Sequence, residues 1–201
     1  MFALCFLARS NGIKANAGYV VTEYRSEASS DYLWERLNEY APSEYVAAGV
    51  LGYFDRESCF RSDATAGWGR ALSCTGVDHC ALFTKKIDAG LSDGSTREDF
   101  IQICRYQYGG YGLGQWCSIG MLEHFYDYAC EWGTSISDAD MQCAFVFADI
   151  QERYADLWEE LLNCEDAVTA GVLIGKWYDG TQSGYGYIGQ LAGEYYEKHA
   201  G

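Results

Sequence analysis

Basic residues are scarce in this chain of 201 residues. Only 14 Lys and Arg accompany 29 Asp and Glu, which gives a formal net charge of −15. Nucleic acid requires clustered basic residues, and an anionic membrane surface attracts them, so neither partner is expected. No apolar run approaches the ~18 residues that a membrane span requires. We therefore expect no nucleic acid and no membrane insertion.

The chain has a single proline and no internal repeat or linker rich in proline or serine. This predicts one domain over residues 29–201. Residues 1–28 differ, because two β-leaning runs flank Asn11 and Gly12, a dipeptide typical of a hairpin. They are expected to form an N-terminal arm or hairpin. The short apolar run in this segment is not preceded by positive charge, so we do not expect a cleaved signal peptide.

No CxxC pair occurs, although the chain contains nine cysteines. The odd number leaves at least one thiol free or paired between chains. A zinc site made of Cys74, His79 and Cys80 lacks a fourth ligand at a recognisable spacing, so no metal is expected. The cysteine density favours an oxidising compartment. Cys74 and Cys80 are then the best candidates for a disulfide, whereas Cys130 and Cys143 are predicted to be buried on helix faces.

Apolar residues recur at helical spacing from about residue 30 onwards, which predicts a mainly α body. Pro42 is placed to open the second helix, which runs to Glu57. The Ser-x-x-Glu pattern of residues 95–98 predicts a capping box at the start of a later helix. Ser137 is expected to cap another helix.

Glu57 lies at the end of an apolar helix, among aromatic and aliphatic residues. A carboxyl group held against such neighbours loses hydration, so its ionised form is disfavoured and its pKa rises. A carboxylic acid that is still protonated near neutral pH can donate a proton to a leaving oxygen. Glu57 is therefore a candidate general acid.

Residues 109–116 form a second candidate feature, which we call the Gly-rich loop. Its glycines allow the backbone to approach a ligand closely. Tyr111 and Trp116 offer stacking faces, and the amide of Gln115 offers a donor and an acceptor. Such a strip suits an amino-sugar. The alternative interpretation is a loop or short hairpin whose Trp116 belongs to the core.

These features occur in an order that resembles the phage tail lysozyme family, which is related to goose-type lysozymes and lytic transglycosylases. The resemblance covers roughly residues 30–199. The matching segments are residues 47–52 followed by Glu57-Ser58, the Asp88-Ala89-Gly90 segment, Gly110 to Trp116, and residues 176–180. One departure is Tyr53, where the family often has Asn. The resemblance implies a mainly α (α+β), two-lobed lysozyme-like fold, with a substrate cleft and a small β or irregular segment.

The resemblance also implies a peptidoglycan hydrolase that cleaves the β-1,4 bond between N-acetylmuramic acid and N-acetylglucosamine, either as a muramidase or as a lytic transglycosylase. Glu57 would be the general acid, with Asp88 as the second carboxylate and Asp78 as the next choice. Ser58 would orient the loop that carries Glu57. The sugar subsites would be lined by Tyr111, Gln115 and Trp116. No metal or organic cofactor is implied.

The expected partners are the glycan strands of peptidoglycan and a larger tail or injection assembly. A domain with a net charge of −15 is repelled by anionic walls, so delivery on an assembly is expected. The expected location is a virion tail or the extracellular cell-wall space. Three alternatives remain at this point: a non-catalytic wall-binding or structural module on a lysozyme-like fold, a cysteine peptidase or amidase that uses Cys117, and an unrelated disulfide-linked extracellular domain.

Overall fold

The computed structural model describes residues 28–65, 79–180 and 184–201. The fold is mainly α within these ranges, as the sequence predicts. The predicted N-terminal hairpin lies outside them. The described part contains nine α-helices, namely α1 (Ser30–Tyr40), α2 (Glu44–Ser58), α3 (His79–Asp88), α4 (Arg97–Ile103), α5 (Ile119–Trp132), α6 (Ala139–Arg153), α7 (Ala155–Leu162), α8 (Ala167–Leu173) and α9 (Tyr185–Ala200). Two π-helical turns continue α4 and α8, namely π1 (Cys104–Tyr108) and π2 (Ile174–Tyr178).

Two helices begin one or two residues later than predicted. Ser43 caps α2, because its hydroxyl accepts the N–H of the third residue along, and Pro42 precedes the cap. Asp138 caps α6 in the same way, whereas Ser137 lies just outside the helix. In both cases a short side chain with a free acceptor satisfies an otherwise unpaired N–H of the first turn.

The predicted capping box at residues 95–98 does not form. Helix α4 begins at Arg97, and the preceding Thr96 makes no side-chain cap. Ser95 instead donates its backbone N–H to the side chain of Asp93 at 2.9 Å. Ser95, the predicted cap residue, therefore belongs to a local turn that Asp93 stabilises, and it does not cap α4.

Helix α2 is the central element of one helix group, where it packs against α8 and α9. Its middle is buried on all sides. The backbone approach to α9 is close, because a Cβ placed on Gly52 would lie 2.8 Å from the backbone nitrogen of Ala192. Glycine is therefore required at this crossing. The last turn of α2, which carries Glu57, therefore continues a helix whose middle is closely packed.

The remaining core is aromatic and lies between α4, α5 and α6. Phe100, Phe125 and Phe145 pack against one another or against the Gly-rich loop. The loop enters this core between π1 and α5. Isolated antiparallel bridges join Tyr111 to Thr65 and to Trp116, and they are the small β segment of the described residues.

The cysteines of the described residues are free thiols. Cys143 is fully buried, as predicted, but Cys130 is only partly buried and donates to the carbonyl of Leu91 at 3.1 Å. Cys80 is buried, and its sulfur lies 3.4 Å from the hydroxyl of Thr65. Cys74 lies outside the described residues, so the predicted Cys74–Cys80 disulfide stays a prediction. None of the described helices is long and apolar enough to cross a membrane.

Candidate active site

Glu57 occupies the last turn of α2, immediately before the chain turns away. The helix ends because Cys59 adopts a left-handed conformation, with φ of +51°, and donates its N–H to the carbonyl of Asp55 at 2.9 Å. Ser58 was predicted to orient this region. Its hydroxyl donates to the carbonyl of Phe54 at 3.0 Å and so fastens the last helical turn.

The carboxylate of Glu57 shares a cation with a second carboxylate. Nη1 of Arg56 forms an ion pair with Glu57 and lies 3.3 Å from Oδ2 of Asp179, the residue that follows π2. All three side chains are largely withdrawn from solvent, with exposed fractions of 18% for Glu57, 15% for Asp179 and 28% for Arg56. The site therefore holds two carboxylates and one guanidinium in partly desolvated surroundings.

Burial raises the pKa of both carboxyl groups, and the charge of Arg56 opposes this increase. Burial raises the pKa of Glu57, the neighbouring charge of Asp179 raises it further, and Arg56 opposes the increase. The pKa of Asp179 is also raised by burial, again against the effect of Arg56. A raised pKa is what a general acid needs in order to keep its proton at the pH of the reaction.

Asp88, the predicted second carboxylate, forms hydrogen bonds to the segment before α6. It ends α3, where one oxygen accepts from the hydroxyl of Ser135 at 2.6 Å and the other from the N–H of Ile136 at 2.9 Å. These bonds tie α3 to the segment before α6. The role of Asp88 as the second carboxylate stays a prediction, whereas Asp179 shares the guanidinium of Arg56 with Glu57. Asp78, the next choice, lies outside the described residues.

The Gly-rich loop is attached to the same face of α2 as Glu57. The phenolic hydroxyl of Tyr53 donates to the carbonyl of Gly114. Residues four apart lie on one face of a helix, so Glu57 is one turn beyond this contact. Burial raises the pKa of Tyr53, and the charges of Asp179 and Glu57 add to the effect. Tyr53 thus lies between the loop and the acidic pair.

Gln142 of α6 fixes the conformation of the Gly-rich loop. Its Oε1 accepts the N–H of Leu113 at 2.8 Å, while its Nε2 donates to the carbonyls of Ser62 at 2.8 Å and Ile136 at 2.9 Å. The side chain is fully buried. A Cβ on Gly112, whose φ is +77°, would lie 2.8 Å from the same Oε1, so only glycine allows this approach.

Tyr111 and Trp116 do not present stacking faces to a ligand. Their exposed fractions are 0% and 1%. The hydroxyl of Tyr111 lies 2.6 Å from that of Thr84, and Nε1 of Trp116 donates to the hydroxyl of Tyr178 at 2.9 Å. The prediction that these two rings line sugar subsites is wrong for this structure. The alternative interpretation is correct: the loop forms a short hairpin, and both rings belong to the core.

Gln115 is the member of the loop that keeps a free polar atom. Its Nε2 donates to the carbonyls of Ala64 at 3.0 Å and Gly112 at 2.9 Å, which fixes the orientation of the amide. Its Oε1 is buried and has no hydrogen-bond partner. A buried acceptor without a donor costs free energy.

Left-handed backbone conformations at residues other than glycine cluster around this region. Within the described part of the chain they are Cys59, Phe60 and Gln115, with φ of 51°, 66° and 46°. Two follow the turn that carries Glu57, and the third is in the Gly-rich loop. Such conformations are uncommon and occur preferentially at functional sites.

The arrangement required for a cysteine peptidase is not built around Cys117. The nearest downstream histidine, His124, directs its two ring nitrogens to Asp149 at 2.6 Å and Glu152 at 3.4 Å. Asp149 raises the pKa of this histidine through the hydrogen bond. No group of three or more His, Cys, Asp or Glu within residues 28–65, 79–180 and 184–201 could hold a metal ion.

Sequence reasoning missed three residues that shape the site. Asp179 was noticed only as part of a matching segment, although an acid directly after a buried aromatic residue is a usable signal. Tyr53 was noticed only as a departure from the family pattern. Gln142 was recognisable as a lone amide on the apolar face of α6, where a buried polar side chain needs partners.

One known protein family matches most of the chain. A family model described as phage tail lysozyme matches residues 28–198. No curated protein and no solved structure matches the chain. The matched range contains Glu57, the Gly-rich loop and Asp179. The chain therefore belongs to the phage tail lysozyme family, which indicates a lysozyme-like function in cell-wall lysis.

Proposed function

We propose that this protein cleaves the β-1,4 glycosidic bond between N-acetylmuramic acid and N-acetylglucosamine, with Glu57 as the general acid. The observation that carries the proposal is the position of Glu57, partly buried at the end of α2 beside the second carboxylate of Asp179. Burial and the charge of Asp179 raise its pKa. An acid in these surroundings keeps a proton that it can transfer to the glycosidic oxygen.

The reaction begins with that proton transfer. Glu57 protonates the leaving oxygen while positive charge develops on the sugar ring, as in other glycosidases with an oxocarbenium-like transition state. Glu57 becomes negatively charged in this step, and Arg56 is in position to stabilise the carboxylate that forms. Two completions start from the same step: attack by water gives a reducing sugar, and internal attack by the 6-hydroxyl gives an anhydro sugar.

Gln115 is the proposed contact to the sugar. Its unpaired Oε1 is buried, and once the groups that cover it move aside it would accept a hydrogen bond from an acetamido N–H or a hydroxyl of the glycan. Hydrogen bonds to two carbonyls hold the amide in place, so the acceptor is fixed before the ligand arrives. Fixed polar groups of this kind supply orientation and specificity in ligand sites.

We also propose that a tail or injection assembly carries the domain to the wall. The net charge of −15 gives the domain no attraction to an anionic wall, so a tether that raises its local concentration would be required. The family to which the chain belongs is named for phage tails. These two observations support a location on a virion tail or in the cell-wall space.

One observation favours a second candidate, a non-catalytic module that binds the wall. Arg56 forms an ion pair with Glu57, and an ion pair favours the ionised form, which has no proton to donate. A binding module would retain the Gly-rich loop and Gln115 and would leave the glycan intact.

Analysis of the products separates the candidates. Purified peptidoglycan is incubated with the wild-type protein, and the soluble products are identified by mass spectrometry. We expect disaccharide fragments that end in N-acetylmuramic acid, either reducing or in the 1,6-anhydro form. Retention of protein on the wall without any product would support the binding module. Products cut at peptide or amide bonds would contradict both candidates.

A further inference from the structure

We propose that Asp179 is a positioning residue, which competes with Glu57 for Arg56 and so lets Glu57 take up a proton and meet the substrate as an uncharged acid. The inference rests on the proposed function and deepens it. It concerns the same site, and it gives a role to Asp179, the carboxylate that shares Arg56 with Glu57.

The geometry places a single nitrogen between the two carboxylates. Nη1 of Arg56 forms its closer ion pair with Glu57 and lies 3.3 Å from Oδ2 of Asp179. The guanidinium is confined on another side by the start of α9, because a Cβ on Gly184 would lie 3.3 Å from Nη2 of Arg56. Within this space a small shift of the guanidinium strengthens one ion pair as it weakens the other.

The charges explain why such a shift accompanies protonation. With both carboxyl groups ionised, the two acids and one guanidinium carry a net charge of −1. One bound proton makes the group neutral, which is favoured because partly desolvated charge is costly unless it is paired. Aspartic acid is intrinsically the stronger acid, with a pKa of about 3.9 against about 4.3 for glutamic acid. A proton on Glu57 therefore leaves Arg56 to pair with Asp179.

The other titratable groups described near Glu57 have hydrogen-bond partners outside the group of Arg56, Glu57 and Asp179. On α2, Asp55 accepts the hydroxyl of Tyr195 from α9 at 2.7 Å and is engaged there. Tyr53, also on α2, is buried and directs its hydroxyl to a backbone carbonyl. From the residue after π2, Asp179 shares Nη1 of Arg56 with Glu57.

The first test is a direct titration of Glu57. The side-chain carboxyl of Glu57 is followed by 13C NMR, with Glu57→Gln used to assign the signal. In Asp179→Asn the negative neighbour is lost and Arg56 pairs with Glu57 alone, so we expect the midpoint to fall by about one pH unit. In Arg56→Gln the positive neighbour is lost, so we expect it to rise by about one pH unit. The double variant should titrate close to the wild type.

The second test is the pH dependence of wall lysis by the same variants. A general acid is active below its pKa, so the alkaline limb of the profile should move to lower pH in Asp179→Asn and to higher pH in Arg56→Gln. Asp127→Asn is the matched control, because it removes a carboxylate from the exposed ion pair with Arg97 on another face. We expect no movement of the limb in this control. Circular dichroism checks that each variant is folded.

The outcomes are distinguishable. Loss of activity in Asp179→Asn at every pH, with an unmoved Glu57 titration, would overturn the inference and leave the proposed function intact. If Asp179→Asn does not fold, the Arg56→Gln titration decides, because an unmoved midpoint there also overturns the inference. Absence of lysis in the wild-type protein would overturn the proposed function and the inference together.

Discussion

Replacement of Gln142 by Met tests whether the Gly-rich loop is held by a single buried amide. Methionine has nearly the same length and volume as glutamine, so the change removes the polar atoms and leaves the packing largely intact. The amide makes three hydrogen bonds, to the N–H of Leu113 and to the carbonyls of Ser62 and Ile136. In the variant, these three backbone groups lose their partner.

The magnitude follows from those three groups. A buried polar group left without a partner costs about 1–3 kcal/mol, so the free energy of unfolding should fall by about 3 kcal/mol or more. For a domain of this size, 1 kcal/mol corresponds to a shift of about 2–4 °C in Tm. The expected decrease in Tm is therefore roughly 6–12 °C. Lysis should also fall, because the same loop carries Gln115.

The assay is urea unfolding followed by tryptophan fluorescence, together with thermal unfolding by circular dichroism. The matched control is Gln190→Met, because Gln190 is exposed on α9 and its amide bonds only to Glu194 one turn away. We expect the control to change the free energy of unfolding by less than about 0.5 kcal/mol. An unfolding free energy of Gln142→Met within that range would refute the reasoning.

The other predictions concern single groups around the site. Tyr53→Phe removes the hydrogen bond to Gly114, so it should lower the free energy of unfolding by about 1 kcal/mol in urea titrations and reduce lysis; unchanged stability would contradict the tether. His124 has a raised pKa because of Asp149, so protonated His124 stabilises the fold below its ordinary pKa of about 6.5, and this contribution is lost as pH rises through the raised value. The Tm difference between wild type and His124→Gln should therefore shrink above pH 6.5, and a difference independent of pH would contradict the linkage. Gln115→Ala should weaken the binding of tri-N-acetylglucosamine measured by calorimetry, and an unchanged Kd would exclude Gln115 from the subsite.

Helical periodicity was sufficient to predict the α-helical body, because each helix has a face that must be buried. Individual helix starts were wrong by one or two residues at α2, α4 and α6. Neighbouring Ser, Thr and Asp residues compete for the same backbone N–H, and the sequence does not show which one reaches it.

The sequence could predict a site residue only where a single continuous segment marks it. The apolar helix that ends at Glu57 is local in sequence, and its structural position agrees with the prediction. The partner Asp179 follows π2, far along the chain, so nothing local relates it to Glu57. Tyr111 and Trp116 were assigned to a ligand because an aromatic ring beside glycine suits both a sugar platform and a packed hairpin. Their burial depends on the surrounding helices.

The central claim, that Glu57 is the general acid of a wall-lytic reaction, is tested most directly by the turbidity of purified cell walls. Wild type, Glu57→Gln and Glu44→Gln are compared at equal concentration, with Glu44 as the control because it is an exposed glutamate at the other end of α2. We predict that Glu57→Gln folds normally but clears the walls at least ~10²-fold more slowly, while Glu44→Gln clears them at the wild-type rate. Clearing by a folded Glu57→Gln variant at the wild-type rate would contradict the account.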